Sequence, residues 1–538
     1  MLSAGARVCL LTGGYPYRRN ALAGWCDALV RGLPGSTFEL VTITDREPGQ
    51  ALVRHLPGNV AQARAVVLPH DRHRPAEATE AALAAAQLLC RGLLIPGPMV
   101  TDGLRRLATE PATTSHPAYE TGTSPAARET GAGRAVRETG AGRAVRETGA
   151  GRAGGGFGGG RLPLDGVPLA DVLMDAWRIS RAAPDRPELP RLSVRDARSA
   201  AALLRHAVRA LAVALPPADL VHCAGGTTPV LAALGDHWRT GRPMLLTEAG
   251  SAVPRRRPAE ERLSPAVRLV LDSLRSSVLR TGYAEATLIA PISSYHHGWA
   301  RAHGADPGRL VAVPAGADPR DFPAAAEPEH APALVWAGTG GPDSGLAPLL
   351  EAFAHVAAAS PTTVLHVTGV TAAHRDHAAE QVGRTGLGRR IHLHHRSAEP
   401  RDRYAAGHVV VHVPGAGDPP QRLIEAMMSG RPVVAADVGP VAETLGDAGV
   451  RVPDNDPAAL AAACLALLRS PGRRRALGDA ARRRALACFT TDRMARAYGA
   501  LYADLAGPPP ATAFELALAV AEPQVPLPAG QHPPAGPG

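Results

Sequence analysis

Short apolar runs alternate with longer amphipathic segments along two stretches of this chain. In the first stretch, "RVCLL" at 7–11 ends in "TGGYPY", the helix-forming "LAGWCDALVRGL" follows, and "FELVTI" at 38–43 is the next apolar run. Strand, loop, helix, strand is the opening of a βαβ unit. The pattern is lost between about 108 and 162 and resumes with a helix predicted over 197–214. Strands "ADLVHCAGG" and "PMLLTEAG", the helical "LSPAVRLVLDSLRSSVLRTGY" and the strand "ATLIAPIS" come next, and "RLVAVPAGADPRDF" closes this half. A proline- and alanine-rich link, 323–333, marks a boundary. The second stretch restarts with "ALVWAG", a glycine loop and the helix "LAPLLEAFAHVAAA", then strands "TVLHVTG", "RIHLHH", "HVVVHVP" and "PVVAAD".

Continuous apolar strands separated by helices predict parallel sheets covered on both faces. The expected fold is therefore α/β, with two facing Rossmann-like, doubly wound domains at 1–322 and 333–507 and a flexible proline-rich tail at 508–538. Inside the first domain, "RETGAGRAV" at 128–136 recurs at 137–145 and, as "RETGAGRAG", at 146–154. Such a repeat has too little apolar surface to bury a core, so a disordered insertion is expected there. Ligands of doubly wound sheets bind at the carboxyl ends of the strands. Two such domains predict a site in the cleft between them.

Composition adds three points. At 538 residues the chain exceeds what one compact core supports. The positive charge is all arginine, since the chain has no lysine, and the net +9 fits the bias of a high-GC bacterial genome without implying a nucleic-acid partner. The six cysteines have no CxxC spacing and read as reduced thiols of a cytosolic protein. The first apolar run is too short for a signal peptide, and no apolar stretch reaches the roughly 18 residues of a membrane span.

Candidate chemistry concentrates in "GDPPQRLIEAMMSGRPVVAADVGPVAE", 417–443. Asp418 before two prolines reads as an N-cap, and Gly430 with Pro432 stops the helix. The helix N-terminus offers free N–H groups to an anion. Glu425 lies among apolar neighbours and needs either an ion-pair partner, such as Arg422 or Arg431, or a ligand hydroxyl. Glu248 follows a buried strand at the cleft rim, where it either orients an acceptor hydroxyl or is a salt-bridged loop residue. His222 ends a neighbouring strand and reads as a core histidine. His392 and His394 share a strand face but lack an acidic or cysteine partner, so no metal is expected. The loop after "ALVWAG" fails as a nucleotide P-loop, because Leu346 stands where lysine is required. "TGGYPY" departs from GxGxxG, which disfavours a dinucleotide oxidoreductase. The arginine run at 472–489 has the Ala/Leu periodicity of an amphipathic helix with a solvated basic face.

The segment "LIEAMMSGRPVVAADVGPVAETL" resembles the "EAMA-G-PVVATDVGG-xE" signature of the group 1 glycosyl transferases. "LLTGGYPYRRNALAGWCDALVRGLP", "LLTEAGSAVPRRR" and "VPAGADPRDF" resemble a narrower branch that includes the transferase of Pel-type exopolysaccharide synthesis. The resemblance implies the GT-B fold and a nucleotide-sugar donor. It implies a ribose-binding role for Glu425 and puts the glycines Gly13, Gly14, Gly338, Gly340 and Gly341 around the phosphates, with Gly439 in a turn beside the nucleotide. The family's first acidic position falls on Gly417, so Asp418, one residue later, becomes the candidate at the transferred sugar, with Glu248 on the acceptor side.

Several family positions differ. Thr339 and Ser344 stand where an arginine and a lysine hold the diphosphate; Asn20-Ala21 replace a Gly-Gly, Ala249 a histidine and Ala315 an asparagine. Losing one donor aimed at developing charge costs roughly 3 kcal/mol; helix N-termini and the N–H groups of 338–345 could still bind the diphosphate with less stabilisation, or an arginine from elsewhere, such as Arg18 or Arg19 of the facing loop, could swing in. The combined expectation is a retaining glycosyltransferase, moving sugar from a nucleotide-sugar donor to a glycan acceptor without metal or other cofactor. It would act in the cytoplasm, peripheral to the membrane or within a polysaccharide-synthesis complex. The alternative is a degenerate, binding-only member.

Overall fold

The computed structural model describes residues 5–18, 21–44, 55–68, 78–95, 97–110, 164–183, 189–250, 262–329, 331–394, 400–415 and 417–507. The nine-residue repeats and the C-terminal tail lie outside the described residues. The first sheet holds β1 (Arg7–Thr12), β2 (Thr37–Thr44), β3 (Val60–Val67), β4 (Leu220–Ala224), β5 (Met244–Glu248) and β6 (Leu288–Pro291). The second holds β7 (Ala333–Ala337), β8 (Val364–Thr368), β9 (Ile391–Leu393), β10 (Val409–His412), β11 (Val433–Ala436) and β12 (Val450–Val452). Their orders, β3-β2-β1-β4-β5-β6 and β12-β11-β10-β7-β8-β9, are one plan used twice, and every pairing is parallel. The two doubly wound domains expected from the alternating pattern are therefore present.

Strands at the middle of each sheet are buried on both faces. β4, β5 and β7 have no exposed residue, which is why they appear in the sequence as unbroken apolar runs. Edge strands are less legible. β3, "VAQARAVV", is half exposed and carries an arginine, and β12 is three residues long.

Helices α1 (Ala21–Gly32), α2 (Glu80–Leu94), α3 (Met99–Thr109), α4 (Leu169–Ala182), α5 (Val194–Val208), α6 (Thr227–Thr240), α7 (Pro265–Glu285) and α8 (Ser294–Ala302) cover the first sheet. Helices α9 (Leu346–Ala359), α10 (Arg375–Arg384), α11 (Gln421–Met428), α12 (Val441–Leu445), α13 (Pro457–Leu468), α14 (Pro471–Cys488) and α15 (Thr491–Ala506) follow. The helix predicted at 197–214 begins earlier, because Ser193 and Asp196 form a capping box, and it ends in a 3-10 turn at Arg209–Ala212.

The last helix, α15, returns to the first domain. Its Tyr498 and Tyr502 hydroxyls reach Thr247 Oγ1 at 2.8 Å and His222 Nδ1 at 2.7 Å. Trp25 of α1, Ile424 and Met427 of α11, and Tyr498 share one apolar cluster, so the lobes are joined along one side by continuous core. Across the same boundary the Glu443 carboxylate accepts the N–H groups of Ser294 and Tyr295 at 2.8 and 2.9 Å, capping α8 from the other domain.

His222 is the core histidine expected. It is fully buried, its second nitrogen lies 2.7 Å from Thr247 Oγ1, and burial pushes its pKa down to about 3. Burial likewise pushes His296 down to about 4. An unfolded histidine titrates near 6.5. Below that pH the unfolded chain binds protons that the folded chain refuses, so stability falls with pH until the folded values are reached. Each histidine costs about 1.4 kcal/mol per pH unit in that window. Urea unfolding at about pH 7.5 and about pH 5.5 should show a loss of roughly 3 kcal/mol at the lower value from these two histidines, with a shallower slope in His222→Gln. A flat profile would refute the neutral, buried state.

Candidate active site

A cavity of about 560 Å³ opens between the lobes. Its walls follow β1, β4 and β5 of the first sheet and β7 and β10 of the second, so it lies where the strand order reverses in both. Four helices present N-terminal turns to it: α1 through Ala21 and Leu22, α6 through Gly226 and Thr227, α9 through Asp343 and Ser344 just before it, and α11 through Pro419 and Arg422. Such turns carry unpaired N–H groups and partial positive charge, a setting for an anionic ligand.

Asp418 lines the cavity, though not as the expected N-cap. Two prolines follow it, the helix starts only at Gln421, and Pro420 holds the cap position without a side-chain bond. The Asp418 carboxylate turns back instead and accepts the Gly415 N–H at 2.7 Å. Gly417, at the family's first acidic position, also faces the cavity.

Glu248 is fully buried behind the wall. Its Oε1 accepts the Gly250 N–H at 2.8 Å and its Oε2 accepts the Tyr283 hydroxyl at 2.7 Å. It thereby fixes the turn that brings Ala249 and Gly250 to the cavity. Gly250 has φ +84°, and a Cβ there would lie 1.8 Å from the Gly417 carbonyl oxygen. The two lobes touch backbone to backbone at this point.

Glu425 sits one turn further along α11, outside the cavity lining. Its Oε2 takes an ion pair from Arg403 and lies 3.2 Å from the Tyr404 hydroxyl. The partner is thus neither Arg422 nor Arg431. Arg431 donates instead to the carbonyls of Ala326 and Ala405, while Arg403 arrives from a turn 22 residues before Glu425. Burial opposes the charge on Arg403, but the Glu425 carboxylate holds its pKa above the ordinary value. Glu425 Oε1 makes no hydrogen bond among the described residues and points at Gly24 of α1, 4.0 Å from where a Cβ would stand.

Of the six glycines expected around the nucleotide, Gly338 alone lines the cavity, followed by Thr339. A Cβ on Gly338 would fall 1.9 Å from the Trp336 ring, so the close turn requires glycine. Gly340 and Gly341 face the turn after β8 instead, towards Val370 and His374. Gly13 is exposed, and Gly14 is buried in the turn after β1, where its N–H donates to Thr12 Oγ1 at 3.3 Å. Gly439, at φ +60°, sits in the turn before α12 and outside the lining.

Of the two candidate substitute arginines, Arg18 is exposed and packs over Gly14, and Arg19 lies outside the described residues. The arginines that line the cavity are Arg275 of α7 and Arg422 of α11, neither marked by any sequence signal beyond its charge. His412 lines it too; burial, reinforced by Arg422 and opposed by Asp418, pushes its pKa down to about 4, so the imidazole is neutral near pH 7. His392 of β9 stacks on His366 of β8, and His394, just past β9, lies with Nε2 2.9 Å from His366 Nδ1, yet no group of side chains fit to hold a metal occurs among the described residues. No helix among them is long and apolar enough to cross a membrane.

Residues 331–470 match the family described as glycosyl transferases group 1, and residues 6–95 match a domain family of unknown function. Comparison with curated proteins found no match. Among solved structures, sucrose-phosphate synthase (tll1590) from Thermosynechococcus elongatus is similar over 93% of this chain and 99% of its own, at 15% identity and a TM-score of 0.53. A glycosyltransferase from Rickettsia africae ESF-5 covers 93% of this chain and 98% of its own at 12% identity and a TM-score of 0.48. Anabaena Alr3699/HepE in complex with UDP and glucose covers 53% and 78% at 17% identity and a TM-score of 0.44. Residues 331–470 thus carry a group 1 glycosyl transferase domain, and the paired Rossmann-like lobes have the GT-B fold.

Proposed function

We propose that this protein transfers a sugar from a nucleotide-sugar donor, held in the interlobe cavity, to a glycan or other acceptor with retention at the anomeric carbon. The observation that carries the reading is the cavity itself, at the strand-order reversals of two sheets and ringed by helix N-termini. In transfer, the bond from the anomeric carbon to the diphosphate breaks, one to an acceptor hydroxyl forms, and the acceptor's proton leaves with the diphosphate or to a base. Negative charge grows on the phosphates, and preformed N–H groups aimed at them lower the barrier.

In this reading Gly338, Thr339 and Ser344 face the diphosphate, with Gly340 and Gly341 shaping that loop and Gly13 and Gly14 shaping the turn opposite. Asp418 lies at the transferred sugar. Glu425 offers Oε1 to a ribose hydroxyl, with Gly439 in the neighbouring turn. Glu248 sets the acceptor-side turn. No metal takes part. The likeness of 10–34, 245–257 and 313–322 to the Pel-type branch supports an exopolysaccharide acceptor and work in the cytoplasm beside the membrane, in an assembly complex.

A second reading, a binding or scaffold subunit without turnover, is favoured by Gly417, Thr339 and Ser344 at positions where the family carries charge. Titration of the purified chain with UDP, GDP and their sugars, together with a donor-turnover assay, separates the two. Binding with turnover that Glu425→Ala abolishes supports transfer. Binding without turnover supports the scaffold. No binding to any of them at millimolar concentration would sink both.

A further inference from the structure

We propose that the diphosphate anchor has moved in this protein from the loop after β7 to Arg422 on the opposite wall. This rests on the donor-site reading above. The loop 338–345 has no cationic side chain, so its contribution is limited to N–H groups and hydroxyls. Of the two arginines on the cavity wall, Arg275 is engaged by Asp272, one turn earlier on α7, at 3.3 Å.

Arg422 is differently placed. Its carbonyl oxygen is 3.0 Å from the Tyr404 hydroxyl, which ties down the backbone at the start of α11. Its Nη1 lies 3.5 Å from where a Cβ on Gly369 would stand; the Gly338 carbonyl oxygen is 3.4 Å from the same point. The guanidinium and the Gly338 carbonyl therefore border the same turn at Gly369, at the edge of the loop after β7. Nη1 is buried and has no hydrogen-bond partner, and the residue makes no ion pair, among the described residues.

The carboxylate that could have neutralised it, three residues on, is taken by Arg403. Asp418 bonds to the Gly415 N–H, and His412 is neutral. Burial, and then Arg403, pull the Arg422 pKa below its usual value; Glu425, Tyr404 and Asp418 act in the opposite sense without restoring it. A buried charge without a partner is costly to hold, and a fold retains one where a ligand supplies the other half. The planar fork of arginine matches a phosphate better than a point charge does. The ligand class is thus a nucleoside diphosphate gripped at its phosphates.

The test uses the full chain as wild type, Arg422→Met and Arg422→Lys. UDP, GDP and inorganic pyrophosphate are titrated calorimetrically, and thermal unfolding is recorded without ligand. Losing a charge-assisted bond should weaken the nucleotide that binds, and pyrophosphate, roughly tenfold or more in Arg422→Met, with Arg422→Lys intermediate. The ligand-free melting temperature of Arg422→Met should hold or rise, because an uncompensated charge has gone. Unchanged affinity in Arg422→Met overturns the proposal, as does a lowered ligand-free melting temperature, which marks a structural role. If wild type binds pyrophosphate but neither nucleotide, Arg422 remains an anion anchor if Arg422→Met weakens that binding, and the donor-site reading falls. If wild type binds none of the three, both fall.

Discussion

Gly250→Ala is expected to destabilise the chain by about 3 kcal/mol and to cost nucleotide affinity at least tenfold. Two penalties add. The residue holds φ +84°, which costs a side-chain-bearing residue roughly 1–2 kcal/mol. The added methyl would also overlap the Gly417 carbonyl oxygen, at 1.8 Å, and relieving such overpacking costs typically 1–3 kcal/mol. Neither loop can retreat cheaply. The Gly250 N–H is fixed by Glu248, and Gly417 is joined directly to Asp418 on the cavity wall. The methyl therefore pries the lobes apart at the site. Gly13→Ala is the control: no atom lies within 4 Å of the new Cβ, so its stability should match wild type. Urea melts and nucleotide titrations of both variants check the contrast, and a Gly250→Ala protein indistinguishable from wild type would contradict the close approach.

Arg403→Met should have an effect of similar size for a different reason. Arg403 and Glu425 have side chains 19% and 8% exposed, so this pair is largely desolvated. Removing one member of a buried pair costs about 3–5 kcal/mol, because the other charge is left uncompensated. Residual solvent contact at Arg403 argues for the lower end, about 3 kcal/mol. The Arg403 guanidinium also lies over the Phe322 ring at 5.7 Å, a contact the thioether does not reproduce. Arg403→Met combined with Glu425→Leu should recover part of the loss, since both charges leave together. Urea titration of the two single variants and the double variant measures the coupling. Additive losses would show that the pair does not act as a unit.

How far the molecule was legible in its sequence depended on burial. The runs "RVCLL", "LVHCA", "ALVWA" and "VVVH" became the strands flanking the two reversals, because strands buried on both faces leave an unbroken apolar signature. β3 and β12, at sheet edges, carry no such signature. Local bonding was harder to foresee. Asp418 looked like an N-cap, but the two prolines after it delay the helix, and its carboxylate closes a turn instead.

Contacts distant in sequence were not legible at all. Nothing in "IEAMM" indicates that the partner of Glu425 is Arg403, since only the tertiary fold brings that turn against α11. In sequence Arg422 reads as an ion-pair partner of Glu425, because an arginine facing a cavity and one facing a carboxylate look alike there. Glu248 reads as a rim residue following a strand, but it is the last residue of β5 and fully buried, and its role in tying Gly250 to Tyr283 depends on α7, 35 residues away.

The most direct test of the account is a structure of this chain with UDP bound. The diphosphate is expected between Gly338–Thr339 and the Arg422 guanidinium, with the ribose towards Glu425. Nucleotide bound elsewhere on the surface, or a cavity that stays empty at millimolar UDP and GDP, would contradict it.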